Sequence, residues 1–534
     1  MATPPPYTPV RLPDEEDEES PLAYDYTFEK PKIPIESDSF EQSFPLDAPK
    51  YNDSIFTIVF FAVVLGLVGL TVYSYQDLSS STTVLTVLTE KILPASKTSD
   101  KNARDLALLA LATVGIPIIC SLAAVLIAYA FPMFFVFVGY FLIPLTFFGI
   151  CFTAFIAGSA VMAIIFFIFG VLALSFIYNN YKKLSFTALM LRIVIDVMRL
   201  YPSALGVQFI GSITSGIIGL IFLLMSSVIV ADRSKIDDGT CDTQDGNPDN
   251  SCVSSASWWI YIYVMFAGFY IFEVLKNLIH VTISGIYGSW YFFSKTALRP
   301  RSPAWGAFKR GVTYCFGSIC FGSLIVSLVK ILRQILASLQ HKLEERRIGE
   351  NGGGDLGMGP IVYSILSAIV SIFDFVFAQA EYWIKWFNQY AYSYMALYGK
   401  DYLESARDTF EIMKFKGVFI IINDCLINAT LIFYSILVCL LSSGTFYGAL
   451  VGFMKNTNVA PEFMVAGFVL QILLAYFITY ITLNVINSGF ITFLIALCIK
   501  PEVFEENYHG YFVKMTNYYP EVSRSLNVPF PDRV

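Results

Sequence analysis

Charge is scarce in this sequence. Lys, Arg, Asp and Glu make up 14% of its 534 residues, and the formal net charge is −7. A chain so poor in bases has no electrostatic footprint for nucleic acid, and much of its acidity sits in one N-terminal patch, Asp14–Glu19. Histidine occurs only at His280, His341 and His509, so zinc-site and serine-hydrolase templates lack material. The absence of a G-x-x-x-x-G-K-[ST] segment argues against ATP-driven pumping. No enzyme activity, metal or cofactor is expected. Nine cysteines are mostly scattered through apolar segments, where a thiol acts as a small hydrophobe. Cys241 and Cys252 are different, because they flank a polar loop.

What the sequence has instead is long uncharged runs, with 56% of its residues hydrophobic. A bilayer core of about 30 Å needs roughly 20 apolar residues as helix. Ser54–Tyr75, Leu106–Ala130 and Pro132–Ile177 meet that requirement almost free of charge. Barrel strands would alternate apolar and polar over about ten residues, so only helices satisfy the backbone in lipid here. The fold class is therefore an all-α polytopic membrane protein. Ten spans are expected, near 54–75, 106–130, 132–151, 153–178, 203–231, 257–285, 311–337, 361–386, 417–442 and 465–498. The first lies behind an acidic segment without a basic n-region or cleavage site, so it reads as a retained signal anchor.

Residues 51–500 form the membrane domain in this reading, and residues 501–534 a cytosolic C-terminal tail. Residues 1–50 are rich in Pro, Asp and Glu and read as a disordered cytosolic tail. There Pro4, Pro5 and Tyr7 complete the P-P-x-Y pattern that WW domains bind as a preformed polyproline helix. Such ligands recruit ubiquitin ligases to membrane transporters; a Pro-rich tail with a chance Tyr is the alternative. Asn179–Tyr201 sets Lys182, Lys183, Arg192 and Arg199 among apolar residues, the pattern of an amphipathic helix on the membrane surface.

Orientation follows from bases near span ends. Lys182 and Lys183, the loop Lys295–Arg310 and the segment Lys400–Lys416 fall on one side with both termini, which places that side in the cytosol. Loops 76–105 and 232–256 then lie outside. An oxidising compartment there permits a Cys241–Cys252 disulfide, two unpaired thiols being the alternative. Gln340–Gly359 and Lys91–Arg104 are basic yet fall outside, so a re-entrant segment within 311–398 would change the span count.

Ionisable groups at membrane depth mark a pathway or a paired structural site. The sixth span carries Glu273, Lys276, Asn277 and His280 on one face, and the eighth carries Asp374, Glu381, Lys385 and Asn388. Glu273 and Lys276 either neutralise each other or line a cavity where Glu273 meets a cation. Glu381 and Lys385 form an i,i+4 pair, which leaves Asp374 the more isolated acid. A quaternary ammonium donates no hydrogen bond and is held by aromatic faces plus an acid. All six Trp lie between residues 258 and 386, although span ends are also where aromatic belts lie.

Several segments resemble the choline-transporter-like family, in its fungal branch. Phe316-Gly317-Ser318 with Gly322-Ser323-Leu324-Ile325 is similar to its glycine-serine segment. Asn388-Gln389-Tyr390-Ala391-Tyr392, Ala396–Lys400 and Ser405-Ala406-Arg407-Asp408 resemble its most characteristic block, and Phe44-Pro45 with Lys50–Asp53 resemble the approach to its first span. The likeness runs from about residue 40 to about 508. Ser54-Ile55, where fungal relatives tend to have Trp-Pro, and a short first outside loop without a sequon are departures. The resemblance implies ten helices, cytosolic termini, and facilitative Na⁺-independent uptake of choline or related amines by alternating access. Candidate substrate residues are Glu273 and Asp374 for charge, Tyr270, Trp290 and Tyr291 for cation–π contact, and Asn277. The plasma membrane is the expected location, with endomembranes the alternative. A non-transporting scaffold in lipid or vesicle traffic, or a channel or lipid scramblase, are the competing functions.

Overall fold

Lipid offers no partner to a backbone amide, so each long apolar run closes its hydrogen bonds within one helix. The structure, a computed structural model, describes residues 39–46, 50–81, 99–240, 255–349, 360–415, 426–454 and 461–518. Pro4, Pro5, Tyr7, Cys241 and Cys252 lie outside the described residues. Those residues form sixteen helices and no strand. In chain order they are α1 (Phe40–Ser43), α2 (Ser54–Ser81), α3 (Ser99–Ala130) and α4 (Pro132–Ile156). Next come α5 (Ala160–Asn179), α6 (Tyr181–Leu200), α7 (Ser203–Thr240) and α8 (Ser255–Phe293). Then follow α9 (Pro303–Val312), α10 (Phe316–Gly349), α11 (Pro360–Tyr398) and α12 (Tyr402–Phe415). The last four are α13 (Ile427–Met454), α14 (Pro461–Ile499), α15 (Pro501–Asn507) and α16 (His509–Tyr518). Among the described residues ten helices are long and apolar enough to cross a membrane: α2–α5, α7, α8, α10, α11, α13 and α14.

Helices α8, α11 and α14 each have 39 residues. At 1.5 Å per residue each is about 58 Å long, roughly twice the hydrocarbon thickness. Their C-terminal ends project on one side of the bundle, where they gather the short helices α9, α12, α15 and α16. The centre of the bundle is α14, in which eighteen consecutive residues, Ile481–Cys498, are buried. It packs against α3, α7, α8, α11 and α13. By contrast α5 packs chiefly on α4 and turns Val161, Ile164, Phe167, Ile168 and Leu172 outward, as a lipid-facing helix must.

A strap formed by α1 and the residues up to Asp53 crosses the projecting ends. Phe40 and Phe44 are buried, and the fully buried Arg310 of α9 donates to the carbonyl oxygens of Phe44 (2.5 Å), Leu397 (3.1 Å) and Ala396 (3.4 Å). The Arg310 guanidinium also lies 4.8 Å from the centre of the Phe40 ring. At the far end of the strap, the Asp53 carboxylate accepts from Ser318 Oγ (2.5 Å) and from the Tyr402 amide (3.1 Å). Two glycines make room. A Cβ on Gly317 would run into the Asn52 and Asp53 backbone, and Gly399 (φ 64°) faces Leu46 in a conformation that disfavours any side chain.

Several segments differ from the sequence-based expectation, beginning with residues 39–46, read as part of a disordered tail, which are ordered in the strap because Phe40 and Phe44 are buried. The stretch expected on the membrane surface is α6, and Leu184–Leu191 and Ile193–Met198 within it are buried against α4, α14 and α16. Asp196, 3% exposed, pairs with Arg199 (2.9 Å) and Arg192 (3.7 Å) of its own helix and accepts from the Tyr511 hydroxyl (2.6 Å), which ties α6 to α16. Residues 501–518, expected in a tail, fold as α15 and α16 with Phe504 and Phe512 fully buried. Of the ninth span, expected at 417–442, the structure has Ile427–Gly448, and residues 416–425 lie outside the described residues. An apolar run, Val418–Ile422, precedes Asn423 and Asp424, so hydropathy alone does not say on which side of these polar residues the helix starts. Between residues 311 and 398 the structure has two full-length helices, α10 and α11, and no re-entrant turn among the described residues.

Candidate functional site

Polar residues three and four apart in a helix stack on one face, which brings Glu273, Lys276, Asn277 and His280 of α8 into line. Glu273 is 4% exposed and lies mid-way along its span. One of its oxygens accepts from Lys276 Nζ (2.5 Å) and the other from Lys330 Nζ (2.6 Å) on α10. A turn along, Arg333 of α10 donates to Glu381 (2.7 Å) and Asp374 (3.1 Å) of α11, and Lys385 pairs with Glu381. Four cations thus face three carboxylates across three helices. Leaving a fully buried charge such as Glu273 or Lys276 with no partner at all costs about 3–5 kcal/mol, whereas Arg333 and Asp374 are about a third exposed and are bound less strictly.

Aromatic faces complete the surroundings. The Lys276 ammonium lies 5.5 Å from the centre of the Tyr480 ring of α14, and the Lys330 ammonium 5.3 Å from that of Phe269. Each lysine therefore sits where an acid and a ring meet, the environment an organic ammonium requires. Beside them Tyr270 donates to the Cys320 carbonyl oxygen (3.2 Å) and Asn277 to Ser323 Oγ (2.8 Å), which tie α8 to α10. Gly322 leaves room there for the Tyr392 hydroxyl and the Tyr402 ring, so the glycine-serine segment serves close helix approach. His280 Nε2 donates to the Gln389 carbonyl oxygen (2.8 Å), and Nδ1 is 2.7 Å from Ser488 Oγ, which links α8 to α11 and α14.

Of the six residues proposed from sequence, Glu273, Tyr270 and Asn277 lie within two turns of α8 beside α10. Asp374 belongs to the same network but is not isolated, because Arg333 holds it. Trp290 and Tyr291 are not brought to Glu273. They follow it by 17 and 18 residues on one helix, about 25 Å along the axis. There Trp290 stacks on Tyr508 with centroids 5.1 Å apart, and Tyr291 donates to the Lys500 carbonyl oxygen (2.8 Å).

A family profile described as "Plasma-membrane choline transporter" matches residues 164–502. The chain belongs to the choline transporter-like family. Protein PNS1 of Debaryomyces hansenii is 36% identical over 513 residues, covering 92% of both chains. The Candida albicans protein of that name is 34% identical over 494 residues, 92% of this chain and 91% of its own. The Saccharomyces cerevisiae one is 31% identical over 506 residues, 92% of this chain and 88% of its own. All are fungal, so this choline transporter-like protein falls in the fungal branch, as its motifs suggest.

Four members of the site escaped the sequence reading: Lys330, Arg333, Phe269 and Tyr480. The signal was present for the first two, as bases three apart in an otherwise apolar span, next in sequence to a span with acids at Asp374 and Glu381. For the rings there was none, since Phe and Tyr crowd every span. Among the described residues no cluster of His, Cys, Asp and Glu could hold a metal ion.

Proposed function

We propose that this chain carries choline or a related organic cation across the membrane by facilitative alternating access, with both termini in the cytosol. The observation that supports this is the pair of lysine ammoniums held between the Glu273 carboxylate and the Phe269 and Tyr480 rings. A positive nitrogen with methyl groups finds there the charge and the ring faces it needs. Glu273 is the counter-ion, Tyr270 and Asn277 set the distance between α8 and α10, and Asp374 is the acid to which a displaced base can move. Substrate replaces Lys330 on Glu273, so binding cuts the ionic link between α8 and α10 and frees the two helices to part. Trp290 and Tyr291 belong to the cytosolic end of the route and not to this central site. We assign the protein to the plasma membrane, with the Cys241–Cys252 disulfide in the outer loop and Pro4, Pro5 and Tyr7 as a WW-domain ligand in the cytosolic tail.

The test is radiolabelled choline uptake by purified protein in liposomes, for the natural chain, Glu273→Gln and Asp374→Asn. Saturable flux that falls at least tenfold in Glu273→Gln is expected. Natural rates in both variants would refute the site, and no saturable flux in the natural chain would refute transport. Non-saturable flux would point to a channel, and headgroup exchange to a scramblase.

A further inference from the structure

A second site lies at the end of the bundle where the short helices gather. A cavity of about 380 Å³ opens between the α6–α7 junction and the loop from α8 to α9, lined by Tyr201, Ser203, Arg299, Arg301, Ser302 and Trp305 among others. No lining residue is acidic. Two groups in its wall lack the hydrogen bonds that buried polar atoms normally make. Tyr201 is only 5% exposed and its hydroxyl makes no well-aligned hydrogen bond, its polar neighbour being the Arg299 guanidinium, whose own buried Nε has no partner. The Arg299 guanidinium lies 5.2 Å from the centre of the Tyr201 ring, so both orphaned groups stand together. Burial pushes the Tyr201 hydroxyl above its ordinary pKa, against the pull of Arg299, so it stays a donor at neutral pH. The N-termini of α7 and the ten-residue α9 also meet at the cavity, and Ser302 at the start of α9 makes no capping bond with its side chain.

The cavity lies where the apolar stretch of α7 begins, beside the projecting end of α8. Helix α9 buries Pro303, Ala307 and Arg310 while Trp305 (67% exposed), Phe308 and Val312 face outward. An amphipathic helix with an outward Trp belongs in the headgroup layer. We propose that this cavity binds the phosphomonoester headgroup of an anionic lipid in the cytosolic leaflet. The leaflet rests on the orientation given under the proposed function; the ligand chemistry does not. A phosphomonoester dianion has three acceptor oxygens for two guanidiniums and a phenol donor, which a single carboxylate cannot match. The volume falls in the range of about 300–1,000 Å³ typical of organic ligands, more than a bare phosphate fills.

The experiment titrates full-length protein in phosphatidylcholine nanodiscs with a fluorescent short-chain phosphatidylinositol phosphate. Saturable binding is expected, weakened at least tenfold in Arg299→Gln/Arg301→Gln and about fivefold in Tyr201→Phe. The second variant removes one oxygen only and guards against misfolding of the first. Displacement by the soluble inositol phosphate supports a headgroup site. Equal affinity for inorganic phosphate would overturn the lipid assignment, and equal affinity for short-chain phosphatidylserine would overturn the phosphomonoester. Unchanged binding in Tyr201→Phe and in the double variant would overturn the site. Choline uptake by the same preparations, read separately, distinguishes a failure here from a failure of the transport reading.

Discussion

On the proposed displacement of Lys330 by choline, replacing Lys330 by Gln should make the protein bind choline more tightly. In the natural chain the Lys330 ammonium lies 2.6 Å from one Glu273 oxygen, so an incoming cation competes with a tethered one. Two unit charges 4 Å apart attract by about 4 kcal/mol at an effective dielectric of about 20. That figure is a ceiling, because Lys276 stays on the other oxygen and lysine regains hydration on leaving. A net gain of about 1.4–2.8 kcal/mol, a roughly ten- to hundredfold lower Kd, is the expected effect. Maximal uptake should fall at the same time, since the returning lysine helps to expel the substrate. Stability should change little, because three cations would then face three carboxylates, whereas Glu273→Gln leaves four facing two and costs about 3–5 kcal/mol. Scintillation-proximity binding of radiolabelled choline to purified protein measures the Kd directly. An unchanged or higher Kd in Lys330→Gln would refute displacement. So would an equal tightening in Lys385→Gln, whose ammonium pairs with Glu381 and not with Glu273, because bulk charge would then suffice.

Other outcomes follow from the strap and its surroundings. Arg310→Met orphans three carbonyl oxygens and should lower stability by about 3 kcal/mol, seen as a lower unfolding temperature and new protease cleavage near residue 44. Gly317→Ala drives a methyl into the backbone of Asn52 and Asp53 and should release the strap in the same proteolysis assay, while Gly444→Ala, which meets open space, should not. Burial pushes the Cys315 thiol from about 9 to about 11, against the pull of Arg310, so the folded protein favours the neutral form. Its contribution to stability is then fully present below pH 9 and lost as pH rises towards 11, a drift in unfolding temperature that Cys315→Ala should remove. Maleimide should leave Cys315 unlabelled at pH 8 until the protein unfolds.

The spans were legible because a twenty-residue run without charge has one solution in lipid, whatever surrounds it. Glu273 and Lys276 were legible for a local reason, since their spacing fixes their common face. Lys330 was not, although it is as close to Glu273 as Lys276 is, because the register of α10 against α8 is decided by packing at Gly322 and Ser323. Asp374 looked isolated only while Arg333 on the neighbouring helix went unweighed. The strap shows the same limit. Phe44 and Lys50–Asp53 were visible as family segments, but their seat is built by Arg310, Gly317 and Gly399, which are hundreds of residues further along the chain.

The burial of Ile481–Cys498 has a consequence for how the protein is made. The tenth span leaves the ribosome after the other nine, yet it is the one they enclose. The nine must therefore wait in the bilayer with a vacant slot, their Ser and Thr hydroxyls and His280 turned towards lipid or towards one another. Final assembly is a late, nearly simultaneous closure around α14, and a chain interrupted shortly before Pro461 would have most of its helices inserted and almost none of its centre.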